Sequence, residues 1–188
     1  MSIQNCIVSG ACFSGKGHFV GVLGVDCPAK KYPEDWYKRI NPSNKILHVV
    51  RDPRIKSLLN LSYMKIKFNK DPTVSEIFKH IIETRDIVPN ATKIKIIRYE
   101  DYLSEPREKI KEISEFFEYP LVVDTVPRIH NMYFSQYDTK LEFFNDIQKY
   151  FYLTPAMDIY LNKEIKLYGY PKSLDLKKIT QEGYFEKK

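Results

Sequence analysis

Apolar residues fall along this chain in short runs that alternate with longer, helically spaced segments. "NCIV" (5–8) is a brief apolar run ahead of glycines and predicts a buried strand leading into a loop. "KGHFVGVLG" (16–24) then predicts a helix, weakened by Gly21. "VDCPAKKYP" reads as extended, punctuated by Pro28 and Pro33, and "EDWYKRI" as a short helix. "KILHVV" (45–50) predicts a second strand, since the run is too short for a typical helix. Its His48 is expected to be a core or interstrand residue. Pro53 then stands at a helix-N1-like position, with Ile55, Leu58, Leu59 and Ser62 on one face. Thr73 and Glu76 form a capping box over a helix (73–88) that buries Ile77, Ile81 and Phe78.

The second half repeats the alternation. "KIKIIRYE" (93–100) predicts a third strand. "SEPREKIKEISEFF" (104–117) predicts a helix capped by Ser104, with Pro106 in its first turn and Ile110, Ile113 and Phe117 facing inward. "TPAMDIYLNKEIKLYGYP" (154–171) predicts another, stopped by Gly169 and Pro171. The last stretch, 172–188, has no clear pattern and reads as a loosely ordered tail. Strands alternating with capped helices predict an α/β chain with a parallel sheet and crossover helices. The 188 residues suit a single domain. In such sheets, ligands bind beyond the carboxyl ends of the strands.

Composition narrows the function classes. Hydrophobic content of 43% and 29% charge suit a soluble globular protein, and no apolar run approaches the ~20 residues of a membrane span. The N-terminus shows no basic lead of the kind a secretory signal carries, and three cysteines without CxxC spacing read as reduced thiols. The expected location is therefore cytoplasmic. The net charge is +6 without a dense basic block, so any anion site is expected to be local rather than a surface for nucleic acid or membrane.

The concentrated chemistry lies in "SGACFSGKGHF" (9–19), which holds three of the seven glycines. Gly10, Gly15 and Lys16 match the spacing of a GxxxxGK phosphate loop, between a predicted strand and a predicted helix. The N–H groups of Ser14, Gly15, Lys16 and Gly17 are expected to line one concavity, with the helix N-terminus adding positive charge. A kinase loop would follow its Lys with a Ser or Thr for Mg²⁺, and here Gly17 and His18 follow instead. "HVVRDPR" (48–54) places Arg51 at the carboxyl end of the second strand, suited to bidentate phosphate recognition, with Asp52 and Arg54 open to a local ion pair.

Taken in order, the SGxxxSGKG loop, "KKYPEDWYKRI", "KILHVVRDPR", "RYEDYLSEPREKIKEISEFF" and "KLYGYP" resemble the sulfotransferases that use 3′-phosphoadenosine 5′-phosphosulfate (PAPS), with this chain an unusually short member. The resemblance implies a P-loop NTPase-like sulfotransferase fold, a three-layer sandwich with a central parallel sheet and flanking helices. It implies that Ser14, Gly15, Lys16, Gly17 and His18 bind the 5′-phosphosulfate and that Arg51 binds the 3′-phosphate. A hydroxyl early in the next helix would help Arg51. The family's usual Ser position is Leu59 here, and Ser57 and Asn60 are the candidate substitutes, between which the sequence does not choose. Tyr99 is similar to a position near the adenine. Lys31 corresponds to a base or a sulfuryl-contacting Lys, and Lys16, Lys31 and His18 are the catalytic candidates. Arg128 offers a further phosphate contact.

The implied cofactor is PAPS, leaving as adenosine 3′,5′-bisphosphate, with no metal. The implied partner is a small-molecule or glycan acceptor, and the sequence is silent on oligomeric state. The same residues also fit a non-catalytic nucleotide- or polyanion-binding module and a P-loop small-molecule kinase.

Overall fold

The computed structural model describes residues 6–10, 14–23, 44–54, 56–57, 73, 75–76, 79, 82, 88, 92–121 and 155–171, with backbone alone for 18, 22, 103 and 155–158. The expected elements between 24 and 43, the helical continuation beyond residue 57, Ile77, Phe78 and Ile81, Arg128 and the tail 172–188 lie outside these residues. The described elements are β1 (Cys6–Ser9), α1 (Lys16–Leu23), β2 (Lys45–Val50), β3 (Ile94–Arg98), α2 (Tyr99–Ser104), α3 (Pro106–Phe117) and α4 (Pro155–Leu167). The chain divides into two compact units, one of Met1–Arg51 and Asp86–Pro127, the other of Asp52–Arg85 and Arg128–Lys188.

The first unit holds a parallel sheet in the order β1-β2-β3. Val8 pairs with Leu47 and Val49 with Ile97, so these four share one sheet face. They pack with Phe19 and Leu23 of α1, Tyr99 and Tyr102 of α2, and Ile110, Ile113 and Phe117 of α3. On the opposite face, Ser9 and His48 pair in register and share a hydrogen bond of 2.7 Å between Oγ and Nδ1. His48 is thus an interstrand residue. Residues Ile46 through Val50 are all buried, which is why β2 reads as a continuous apolar run rather than an alternating one.

The third strand is shorter than its sequence implies. β3 ends at Arg98, and Tyr99 and Glu100 already begin α2, whose first turn carries Glu100 and Asp101. Carboxylates there favour a helix start through the macrodipole, and Asp101 takes both Nε and Nη2 of Arg98 at 2.8 and 2.7 Å. Ser104 does not cap the next helix. It closes α2, donating to the Asp101 carbonyl at 3.1 Å, and α3 starts from Glu105 with no side-chain cap. Pro106 supplies the N1 position instead.

α3 ends on Glu118 in the left-handed region (φ 57), and Tyr119 N–H reaches back to Ser114 O at 3.1 Å. Lys45 pairs with Glu118 at 2.7 Å and holds its carboxyl below the usual range, though the carboxylate lies in solvent. Ile110, Ile113 and Phe117 are buried at i, i+3 and i+7, as their spacing predicts. Ile113→Ala, at a fully buried position, is expected to cost roughly 2–5 kcal/mol, measurable by urea denaturation. A loss under about 1 kcal/mol would show that this face does not anchor the sheet.

In the second unit, Pro53, Arg54, Lys56 and Ser57 are helical, with Pro53 opening the turn. Asp52 caps it, its Oδ1 accepting from Arg54 N–H at 2.9 Å. Thr73 and Glu76 form the expected reciprocal box, with Thr73 N–H donating to Glu76 Oε2 at 2.8 Å and Glu76 N–H to Thr73 Oγ1 at 3.3 Å. α4 is terminated by Gly169 (φ 69), with Tyr170 N–H returning to Ile165 O at 2.9 Å. Among the described residues, no helix is long and apolar enough to cross a membrane.

Candidate functional site

Three parallel strands point their carboxyl ends the same way, so the residues that follow them share one edge of the sheet. Those residues are Gly10 after β1, Arg51 after β2 and Tyr99 after β3. The sheet therefore brings the predicted phosphate loop, the predicted arginine and the predicted tyrosine together.

The loop's glycines at 10 and 15 are demanded by their surroundings. Gly10 has φ +146, and a Cβ there would strike the Val49 carbonyl oxygen and lie 2.5 Å from Ser14 Oγ. Gly15 has φ +92, and its Cβ would enter the Tyr99 ring, 2.5 Å from Cε2 and 2.8 Å from Cγ. Gly17 differs. It is exposed within α1, and a Cβ there would meet nothing within 4 Å.

Ser14 is fully buried, and its Oγ has no hydrogen-bond partner among the described residues. Native structures rarely leave a buried hydroxyl so, unless a ligand or water completes it. Lys16 is the first residue of α1 and folds back across the loop, donating from Nζ to Gly10 O at 2.7 Å. The first N–H groups of α1 have no intrahelical acceptor, and no acidic residue occupies its first turn. The concavity is therefore positive by backbone and side chain together. His18 lies in the first turn of α1, described by its backbone.

Arg51 is 3% exposed, and its Cζ stands 4.9 Å over the Tyr99 ring centroid. A desolvated cation on an aromatic face gains about 2 kcal/mol. Glu100 Oε1 lies 4.0 Å from Arg51 Nε. Tyr99 is itself buried, edge-on to Phe19 at 6.3 Å and 6.1 Å from Tyr102. Burial raises the Tyr99 phenol, Arg51 opposes that, and Glu100 adds to it. Tyr102, behind it, is pushed up to about 12 by burial and then by Tyr99. Both rings are thus neutral apolar supports at ordinary pH. Tyr99 is the floor under Gly15 and the platform for Arg51, a double role its place in "RYED" did not disclose.

Ser57 belongs to the second unit, and its Oγ donates to Pro53 O at 2.7 Å, so its proton serves its own helical turn. Lys31 lies outside the described residues. The RDPR segment divides between the units after Arg51. Asp52 and Arg54 form the local ion pair, bidentate at 2.6 and 2.9 Å, and Arg54 Nη2 also donates to Pro171 O at 2.8 Å. The second arginine of RDPR thus ties that segment to the "GYP" at the end of α4. Among the described residues, no three His, Cys, Asp or Glu side chains gather as metal ligands.

Comparison with known proteins adds one match. The family model of the sulfotransferase domain covers residues 36–152, well over half the chain, including RDPR and RYED. The phosphate loop precedes that span, so its assignment stands on geometry. No curated protein matches the chain. A sheet edge built from Arg51 and Tyr99 lies inside the matched span, on an α/β frame with a parallel sheet, and the chain belongs to the sulfotransferase domain family.

Proposed function

We propose that this sheet edge binds PAPS and that the chain transfers its sulfuryl group to a hydroxyl or amine of a small-molecule or glycan acceptor. The observation that carries the reading is the buried, unsatisfied Ser14 hydroxyl in a loop whose Gly10 and Gly15 leave no room for a Cβ against Val49 O and the Tyr99 ring, with Lys16 and Arg51 both supplied to that edge. Ser14, Gly15, Lys16, Gly17 and His18 would hold the 5′-phosphosulfate, and Arg51 the 3′-phosphate. Tyr99 supports both from below rather than through exposed ring surface, being only 4% exposed.

When bound, the donor supplies an activated sulfuryl group. Lys16 and the first amides of α1 neutralise the charge that collects on the departing 5′-phosphate, which preorganised donors in a dry site do effectively. Lys16 Nζ carries three N–H donors, so it can hold Gly10 O and donate to a phosphate oxygen at the same time. Lys31, as a sulfuryl-stabilising cation, and His18, as a base, are the proposed contributors on the acceptor side. Gly17 offers no hydroxyl to a magnesium ion, which argues for a donor handled by cations of the protein itself.

Calorimetric titration with adenosine 3′,5′-bisphosphate is the test. Lys16→Ala and Arg51→Ala are each expected to weaken binding by roughly 10–100-fold, the worth of one charged hydrogen-bonding group. Transfer of labelled sulfate from PAPS to a panel of hydroxyl and amine acceptors tests the chemistry. No binding of the bisphosphate sinks the reading. Binding without transfer to any acceptor leaves a nucleotide-binding module, and preference for Mg²⁺-ATP points to a kinase.

A further inference from the structure

The two acidic residues of "RYED" have different employment. Asp101 is committed to Arg98 through a two-point contact at 2.7 and 2.8 Å. Glu100 instead lies beside Arg51, 4.0 Å from Nε, with its side chain 20% exposed and that of Arg51 4% exposed. At that separation the Nε–Oε1 contact is longer than a hydrogen bond, so what it transmits is charge. The guanidinium rests on the Tyr99 ring. A carboxylate placed next to an anion-binding arginine has a definite consequence: it lowers the local positive potential and repels an incoming anion over a distance at which protein screens poorly.

We infer that Glu100 is a selectivity residue, a built-in opponent of anions at Arg51. This rests on the reading of the edge as a site for a 3′-phosphorylated nucleotide. With Glu100 present, Arg51 holds an anion poorly on its own. It accepts a 3′-phosphate when the same molecule is also anchored in the loop at Ser14 to Gly17. Free inorganic anions, which have no second anchor, are turned away. Glu100 acts through Arg51 and touches no reacting atom.

The test compares adenosine 3′,5′-bisphosphate with adenosine 5′-monophosphate by calorimetry at fixed low ionic strength, using the full chain, Glu100→Gln and Glu100→Asp. Glu100→Gln is expected to bind the bisphosphate about tenfold tighter while the monophosphate changes less than about twofold. Inorganic phosphate is expected to compete with the bisphosphate more strongly in Glu100→Gln than in the natural chain. Glu100→Asp, which withdraws the charge by one methylene, is expected to fall between them.

A defect of folding would weaken both nucleotides together and cannot raise their affinity ratio. Weaker bisphosphate binding in Glu100→Gln, or equal tightening of both nucleotides, overturns the inference while leaving the site reading intact. If the natural chain binds neither nucleotide, the site reading fails and this inference fails with it.

Discussion

Gly15→Ala is expected to abolish adenosine 3′,5′-bisphosphate binding and to destabilise the first unit. Two independent penalties act. The backbone at φ +92 is strained for any residue with a Cβ, at about 1–3 kcal/mol. The new methyl would also enter the Tyr99 ring, and overpacking of this kind costs typically 1–3 kcal/mol. The ring cannot simply move aside. It is buried against Phe19 and Tyr102, and it carries the Arg51 guanidinium on its face. Any displacement that admits the methyl therefore shifts the loop and the arginine together, and both anion contacts are lost at once.

Urea denaturation reads the loss of stability and calorimetry the loss of binding. Binding of the bisphosphate by Gly15→Ala within threefold of the natural chain would show that the loop is not the anchor proposed.

Gly17 shows that glycine content alone is a poor guide to a phosphate loop. Its position within α1 is open, and alanine in a helix is about 0.5–1 kcal/mol more favourable than glycine, so the fold has no need of glycine there. What Gly17 withholds is a hydroxyl. The same open space would admit serine, the residue that a magnesium-dependent loop places after its lysine. The loop thus carries two obligatory glycines for shape, and in the proposed function the third leaves charge neutralisation to Lys16, Arg51 and backbone amides.

Local order made the frame legible. β2 is buried on both faces, so Ile46 to Val50 form a nearly continuous apolar run, broken by His48, that can be read directly. The capping box of Thr73 and Glu76 and the glycine stop at Gly169 are equally local, because their hydrogen bonds span a few residues. The end of β3 differs from the sequence expectation for a local reason too. "IIRYE" continues a strand-like alternation, while the helix-starting acids Glu100 and Asp101 that stop it resemble a polar strand exit. Ser104 had the composition of a cap but fell at the end of one helix, not before the next.

The pairings that shape the site join residues far apart in sequence. Nothing near Gly15 announces Tyr99 as the ring beneath it, nor that the same ring carries Arg51. The strands expected over 5–8, 45–50 and 93–100 imply a shared edge, since parallel strands align their carboxyl ends, and the structure sets those ends at Ser9, Val50 and Arg98. Which side chains touch across that edge depends on register and rotamer, which periodicity does not encode.

A long-range pairing within the second unit is the buried pair between Lys56 and Glu164, 108 residues apart, with Nζ donating to Oε2 at 2.8 Å. Their side chains are 1% and 8% exposed. Glu164→Ala is expected to cost about 3–5 kcal/mol, because it leaves the Lys56 ammonium buried without this counter-charge. For a chain of this size that is roughly 2–4 °C of melting temperature per kcal/mol.

Lys56→Met combined with Glu164→Leu should recover most of the loss, since apolar groups of similar volume need no compensation for lost hydration. That contrast is the decisive reading. If the single and double variants are equally unstable, restored packing does not replace the ion pair, and the pair itself contributes net stability. If the double variant matches or exceeds the natural chain, the ion pair serves to specify the seating of α4, next to the tie between Arg54 and Pro171, and not to add net stability. A loss under about 1 kcal/mol for Glu164→Ala would mean that the Lys56 ammonium finds its compensation elsewhere.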